Sequence, residues 1–356
     1  MNDVLSELTA GCWLVTGGCG FIGSEFIRQA LAGHPGLRIV NIDSLSYAAS
    51  PERLAGVDES RYAFVKGDIA VAADVQRAID TCVQRFGGCQ AIVNFAAESH
   101  VDRSIFTGVP FVMANTLGVQ VLLEAAKACR DGGGRFLRFL QVSTDEVYGD
   151  IAPPHRSVET DAFHTSSPYS AAKAGGELLV QAYVRTFKFP CVITRCSNNY
   201  GPWHWPEKMI PLFITNLLAG RQVPVYGDGR QMREWIHVED HARGIMLALL
   251  KGRDGEAYNF GGAIEIDNLT VTRMLIKLAG RDESAIKYVA DRLGHDRRYA
   301  LNCDKAKREL GWQARWSFDD GLKQTFAWYV AHKGWLEKVL DANYQAYYQK
   351  QYDQRK

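Results

Sequence analysis

Three consecutive side chains, Thr144-Asp145-Glu146, and a pair four residues apart, Tyr169 and Lys173, are the groups in this 356-residue chain best suited to proton chemistry. An acid beside a base can protonate one atom of a ligand while taking a proton from the next. A tyrosine near an ammonium can act as a base toward a hydroxyl. Neighbouring side chains on a strand point to opposite faces, so Asp145 and Glu146 meet one ligand only if the chain leaves the sheet there. The alternative is a polar strand-to-loop exit with no chemistry. Tyr169 and Lys173 share one helix face, as many chance pairs at that spacing do.

What must position these groups is a sheet. Phe136 to Val142 alternates like a strand entering a core, and Ser143 to Tyr148 lies at its carboxyl end, closed by Gly149-Asp150. Open α/β sheets bind ligands at such ends. Upstream, Cys12 to Thr16 reads as a buried strand, followed at once by Gly17-x-x-Gly20-x-x-Gly23 and a helical pattern from Ser24 to Ala32. A tight turn, close approach of backbone to a pyrophosphate and close helix packing each need a missing side chain, and the helix N-terminus favours negative charge. The next strand, Arg38 to Ile42, ends at Asp43, twenty residues past Gly23. A carboxylate there accepts both ribose hydroxyls and repels a 2′-phosphate, so NAD is expected over NADP.

Strand-like runs recur at Tyr62 to Lys66, Ala91 to Phe95 and Phe136 to Val142, separated by helix-periodic segments at Ala72 to Phe86 and Phe111 to Cys129. This alternation predicts an α/β fold with a doubly wound parallel Rossmann-type sheet. Asp68 ends the third strand, within reach of an adenine or as a plain loop aspartate. Ala96-Ala97-Glu98-Ser99-His100 ends the fourth, with small residues against which a cofactor can lie. Ser167-Pro168 marks a helix start just before Tyr169, and the strand Cys191 to Cys196 runs into the amide-rich Ser197 to Pro202. Beyond it the alternation fails. A helix is expected to open at Trp203 to Lys208 and run through Leu218, followed by a short strand at Arg221 to Tyr226, a turn at Gly227 to Gly229 and a returning strand at Ala257 to Gly262. Helices are expected at Leu269 to Ala279 and Phe318 to Val330. Arg230, Arg233, Arg292, Arg297 and Arg298 are local cations suited to a diphosphate, or else solvated or salt-bridged surface arginines. The expected division is a cofactor-binding Rossmann domain of residues 8–200 plus about 236–262, interleaved with a smaller C-terminal substrate-binding domain of 201–235 plus about 263–340.

Lys and Arg total 41 against 40 acidic residues, so no global field recruits nucleic acid or an anionic membrane. The first ten residues do not resemble a signal peptide, and no stretch reads as the eighteen or so apolar residues of a membrane helix. Eight cysteines without a Cys-x-x-Cys pair point to reduced, mostly buried thiols in a cytoplasmic protein without a metal site.

In combination these features resemble the extended short-chain dehydrogenase/reductase family and, within it, the dTDP-glucose 4,6-dehydratases, from about Gly11 to Tyr329. The resemblance is carried by Thr16 to Ser24, Ala96 to Ser104, Thr144 to Gly149, Tyr169 with Lys173, Thr194 to Pro202, Pro206 to Lys208 and Asp291 to Tyr299. The first and fourth are common across the extended family; the Thr-Asp-Glu and Gly-His-Asp-Arg-Arg-Tyr runs are narrower. The resemblance implies that Tyr169, assisted by Lys173 and Thr144, takes the 4-hydroxyl proton of a glucose while C4 passes hydride to NAD. Glu146 then removes the C5 proton as Asp145 protonates the departing C6 hydroxyl, and hydride returns to C6. It implies a cofactor site of Gly17, Gly20, Phe21, Ile22, Gly23, Asp43, Ser44, Ser46, Asp68, Ile69, Ala96, Ala97, Ser99, Asn199, Tyr169 and Lys173. It implies a nucleotide-sugar site of Ser99, His100, Thr144, Asn198, Glu207, Lys208, Met209, Arg233, Asn268, Arg292 and His295, with Pro224 and Tyr226 flanking the base. The chain departs from the family at Leu293, at Ala114 and in the bulky Trp203-His204-Trp205, all near expected substrate contacts.

Rival readings are a dehydratase of the same family acting on another nucleotide sugar, a 4-epimerase or uronate decarboxylase of that family, which needs Tyr169 and Lys173 but no adjacent acid and base, and a non-catalytic NAD-binding scaffold, which needs neither. Phe111 to Cys129 and Tyr169 to Phe187 are apolar on more than one face. In the family their equivalents pair two subunits, so a homodimer is expected; the alternative is burial within one chain.

Overall fold

In a computed structural model that describes residues 2–262 and 264–353, the short apolar runs become strands. They are β1 Cys12–Thr16, β2 Arg38–Asp43, β3 Tyr62–Lys66, β4 Ala91–Asn94, β5 Arg138–Thr144, β6 Cys191–Cys196, β7 Asn198–Tyr200, β8 Val223–Tyr226, β9 Met232–His237, β10 Ala257–Phe260, β11 Glu265–Asp267 and β12 Ile286–Val289. Seven of them form one parallel sheet in the order β3-β2-β1-β4-β5-β6-β10. Strands β1, β4 and β6 are buried at every position, as parallel strands covered on both faces must be. On one face the helices Phe21–Gly33 and Val238–Lys251 pack around Trp13, Val15 and Leu140. On the other, Ala72–Phe86, Gly118–Asp131 and Pro168–Phe187 pack around Leu14, Ile92 and Phe139. Strand order reverses between β1 and β4, which opens a crevice at their carboxyl ends.

The smaller sheet β11-β9-β7 and the parallel pair β8-β12 lie over a separate cluster around Phe213, Trp235, Leu275 and Tyr329. Because β7 begins two residues after β6 ends, one loop passes from the large sheet to the small one. Residue 263, near which the second substrate segment is expected to begin, lies outside the described residues.

Three expectations need correction. The helix expected from Trp203 begins at Met209, since Lys208 is extended and Trp203 has a φ of 69°, which leaves 203–208 as an irregular turn. Strand β5 runs to Thr144, two residues further than its alternation suggests, and a single 3-10 turn, Asp145–Tyr148, follows. The helical run Val109–Asp131 is 23 residues long and, by length and composition, apolar enough to cross a membrane, contrary to the reading of the sequence. Its Val119, Leu122, Leu123 and Ala126 are buried against the large sheet, so one side of it already has an apolar partner. The tail adds helical turns at Ala342–Tyr348 and Gln349–Asp353 that the sequence did not announce.

The turn that carries the two carboxyls is fixed from below. Arg195 on β6 donates to Glu177 from Nε and Nη2, the latter at 2.7 Å, and from Nη1 to the Tyr148 hydroxyl at 2.6 Å. Tyr148 in turn donates to Asn259 on β10 at 2.9 Å. Gly149 closes the turn at φ 73°, where a Cβ would lie 1.9 Å from the His164 carbonyl oxygen, so no other residue fits without moving backbone. Removing one partner of a buried ion pair leaves an uncompensated charge. Arg195→Met is therefore expected to lower unfolding free energy by about 3–5 kcal/mol, and Arg195→Met/Glu177→Leu to recover most of that loss. Urea unfolding of both variants checks this.

Candidate active site

At the carboxyl ends of β1 and β4 a cleft of about 640 Å³ opens, bordered by the glycine turn, the loop after Asp43, the ends of β4 and β5, and the 203–208 turn. The helix Phe21–Gly33 starts at Gly20 with no side-chain cap and no acidic residue in its first turn, so its first N–H groups remain available to an anion. A Cβ at Gly17 would strike Ala96 at 2.7 Å and one at Gly23 the Gly17 carbonyl oxygen at 2.5 Å. The glycines are thus required by close packing of turn, helix and β4, as a dinucleotide cradle needs. Asp43 accepts from the Cys19 N–H at 2.9 Å and the Leu45 N–H at 2.8 Å, joining the glycine turn to the loop that carries Ser44 and Ser46. Those serines line the cleft with Phe21, Ile22, Asp68, Ile69, Ala96, Ala97 and Ser99. These residues fit a dinucleotide. Asn199 also lines it, but its amide already bonds Ser197, Cys196 and His241.

The chemical groups meet deeper in the same cleft, where Thr144, Asp145, Glu146, Tyr169 and Lys173 share its wall. Ser167 and Ser170 form a capping box and Pro168 is the first helical residue, which sets the start of the Tyr169 helix. The Thr144 hydroxyl accepts from the Glu146 N–H at 3.3 Å, capping the 3-10 turn that lets adjacent carboxyls face one cleft. Burial pushes the Asp145 carboxyl well above its ordinary range, with Glu146 and Glu234 adding to the rise. One of its oxygens is buried without a partner. Burial also raises Glu146, opposed by the charges of Arg292, Lys208 and Arg233. Both carboxyls are thus raised by burial, with like charges adding to the rise at Asp145 and three cations opposing it at Glu146. Burial raises Tyr169, with the Glu146 and Cys196 charges adding, while a hydrogen bond with Thr144 lowers it. Burial lowers Lys173 to about 8, and its ammonium donates to the Val142 carbonyl oxygen at 2.6 Å.

A second cavity of about 160 Å³ shares His100, Glu146, Asn198, Glu207 and Lys208 with the first. It adds Met209, Pro224, Tyr226, Arg233, Asn268, Arg292 and His295, so every expected substrate residue borders one of two contiguous spaces. Buried Asn198 Oδ1, Asn268 Oδ1 and Arg292 Nε have no partner, as polar groups prepared for a ligand would. Several expected contacts are already engaged. Glu207 is bridged by Arg103 through Nε at 3.0 Å and through Nη2, and Lys208 donates to the Ser99 carbonyl oxygen at 2.6 Å. His100, kept neutral by burial with its pKa down at about 3, donates from Nε2 to the Glu207 carbonyl oxygen at 3.2 Å. His295, brought to about 4 chiefly by burial, donates to Asp291 at 2.5 Å. Of the five arginines, Arg233 and Arg292 reach the cavity. Arg297 pairs with Asp228 on the surface and Arg298 with Glu265, while Arg230 is exposed.

Sequence reasoning missed the tail. Tyr352 stacks on Tyr226 with ring centres 6.1 Å apart, and Gln351 donates to Asp102 at 2.8 Å and Tyr226 at 2.7 Å. Both Asp102 and Tyr352 line the smaller cavity. A Tyr- and Gln-rich end carries no spacing that announces such a wall. Trp203-His204-Trp205 carried a signal, its bulk, but no direction.

A family model described as GDP-mannose 4,6 dehydratase matches residues 14–325. The dTDP-glucose 4,6-dehydratase of Xanthomonas campestris pv. campestris (strain B100) is 45% identical over 346 residues, 93% of this chain and 97% of the relative. That of Streptomyces niveus is 47% identical over 331 residues, 92% and 95% respectively. The crystal structure of DesIV, a dTDP-glucose 4,6-dehydratase from Streptomyces venezuelae with NAD bound, matches at a TM-score of 0.86 and 47% identity, over 92% of this chain and 99% of that one. A UDP-glucose 4-epimerase from Thermus thermophilus in complex with NAD matches at 0.81 but only 27% identity, over 90% and 99%. Likeness in fold is nearly equal for the two activities; likeness in sequence is not.

The Lys173 environment has a thermodynamic consequence. Below pH about 8 the ammonium is charged in folded and unfolded chains alike, and the folded state carries the full burial penalty. Between about 8 and 10.5 the unfolded chain binds the proton and the folded chain does not, so stability rises with pH. Relative to Lys173→Met, the unliganded protein is expected to gain about 3 kcal/mol across that window. Denaturant titrations at a series of pH values test it; a constant difference contradicts the assignment.

Proposed function

The chain belongs to the family of the dTDP-glucose 4,6-dehydratases, and we propose that it is a hydro-lyase that converts dTDP-glucose to dTDP-4-keto-6-deoxyglucose, a first step in deoxysugar synthesis, with NAD as cofactor. The observation that carries this reading is the pair Asp145-Glu146, lifted off the end of β5 to face the same cleft as Tyr169. An epimerase or decarboxylase has no use for a second, buried acid beside the first, and a non-catalytic scaffold has no use for either.

NAD held in the cleft would supply the hydride acceptor for C4 of the sugar and the hydride donor for C6. Tyr169 removes the 4-hydroxyl proton, with Thr144 bonded to its oxygen and the Lys173 charge favouring the tyrosinate. A ketone at C4 acidifies the C5 proton, which Glu146 removes; the neighbouring Arg292, Lys208 and Arg233 oppose the rise that burial imposes on its carboxyl, which favours the carboxylate this step needs. Asp145, held in the acid form by its burial, donates to the C6 hydroxyl as it leaves as water, and C5 later regains a proton. Residues 8–200 with about 236–262 hold the cofactor. Residues 201–235 with about 263–340 hold the nucleotide, its diphosphate between Arg233 and Arg292 and its base against Pro224 and Tyr226. Eight free thiols, six of them buried, support a cytoplasmic location. The helices Val109–Asp131 and Pro168–Phe187 expose Val112 at 53% and Leu178 at 55% of their surfaces, and we assign this apolar face to a homodimer contact.

Purified protein is expected to turn dTDP-glucose into a product with the alkaline absorbance of a 4-keto-6-deoxy sugar, without net NADH, and faster than it turns over UDP-, GDP- or CDP-glucose. Turnover of UDP-glucuronate, or simple inversion at C4, refutes the reading. Glu146→Gln should reduce bound cofactor on adding sugar, then stall with turnover down about 10²–10⁴-fold, whereas Tyr169→Phe should show no reduction. Product release by Glu146→Gln at the wild-type rate removes that residue from its role. In sedimentation velocity the wild type is expected as a dimer and Leu178→Asp as a monomer, since a charge buried at an apolar contact lacks a partner.

A further inference from the structure

The cofactor cleft has a roof built from residues that the proton chemistry does not use. Arg53 is 1% exposed, and its side chain bonds three main-chain carbonyls: Cys19 at 2.7 Å, Ala48 at 2.7 Å and Trp203 at 2.8 Å. These belong to three separate borders of the cleft: the glycine turn, the loop after Asp43 and the 203–208 turn. Burial lowers Arg53 only to about 10, so the group is cationic at neutral pH. A buried cation is costly; Asp43 and the Trp335 ring offset part of that cost at Arg53, and the diphosphate of a dinucleotide at the glycine turn would add negative charge to it.

The turn that Arg53 ties down lies over the cleft. His204 stacks face to face on Phe21 with centres 4.2 Å apart and planes 11° from parallel, and Phe21 begins the helix whose N-terminus faces the cradle. Trp205 meets Tyr47 edge-on at 6.4 Å. His204 and Trp205 both line the larger cleft, and buried His204 Nδ1 and Trp205 Nε1 have no partner. From the other side Trp203 packs on Trp328 at 4.7 Å and Trp335 at 5.3 Å, and the Tyr329 hydroxyl donates to the His204 carbonyl oxygen. The turn is gripped by both units of the molecule at once.

We propose that Arg53 is a positioning residue for the cofactor: it latches the Trp203-His204-Trp205 turn over the dinucleotide, with His204 on Phe21 as the cover, so that bound NAD is released only when this latch opens. A reaction that restores its cofactor within each turnover gains from such retention, because a cofactor lost midway leaves an oxidised sugar stranded. The inference rests on the NAD reading above, but its measurement needs no sugar.

The test is the NAD content of purified protein and its exchange with labelled NAD in the absence of sugar, for wild type, Arg53→Met, Arg53→Lys and His204→Ala. Arg53→Met and His204→Ala are expected to lose NAD on gel filtration and to exchange it faster, on the order of tenfold or more, with Arg53→Lys between. In turnover, KM for added NAD should rise far more than kcat falls. His204→Phe, which keeps the stacked ring, should restore slow exchange. Wild-type exchange rates in Arg53→Met and His204→Ala overturn the proposal, as does a fall in kcat at saturating NAD with exchange unchanged. If Arg53→Met does not fold, His204→Ala decides alone, since its side chain covers the cleft and is not part of the core. Slow NAD exchange in wild type without any sugar turnover would sink the dehydratase reading and leave the latch standing.

Discussion

The guanidinium of Arg195 joins the elements on which the chemistry depends. It reaches from β6 to Glu177 on the Tyr169 helix and to Tyr148 at the foot of the Asp145–Tyr148 turn. A charge buried this deeply is tolerated only with its partner and its hydrogen bonds in place. Satisfying it therefore fixes the helix and the turn to the sheet and to each other. The acid and base on the turn and the phenol on the helix are three groups from two elements that must reach neighbouring atoms of one ligand, and an error of an ångström would separate them.

On that framework, environment divides labour between like side chains. Asp145 and Glu146 are adjacent buried carboxyls, yet the charges of Glu146 and Glu234 add to the rise at Asp145, while Arg292, Lys208 and Arg233 together oppose it at Glu146. A cleft needing one acid and one base obtains both from its surroundings and not from residue type. The same economy governs the arginines. Arg297 and Arg298 secure loops through Asp228 and Glu265, whereas Arg233, bonded to the Met232 and Asp296 carbonyls, and Arg292, paired with Asp102, line the smaller cavity. Arg53 answers to carbonyls from three borders of the cleft, which makes the cleft's shape a property of one buried cation.

Sequence alone determined the strand-glycine-helix unit, Asp43, the Tyr169 and Lys173 face and the Thr144-Asp145-Glu146 cluster. Each is local: a period of two or 3.6, a glycine where a Cβ cannot fit, a cap, a spacing along one element. Whether local features share a cavity is not local, and tertiary structure alone decided it. It placed β5 two residues longer, so that Thr144 caps the turn from inside the sheet. It left Trp203 to Lys208 as a turn, because Trp203 packs on Trp328 and Trp335 more than a hundred residues away. It drew the tail across Tyr226 and turned Glu207 toward Arg103. Such choices depend on which distant partner satisfies a buried ring or charge, and no spacing within one segment encodes that partner.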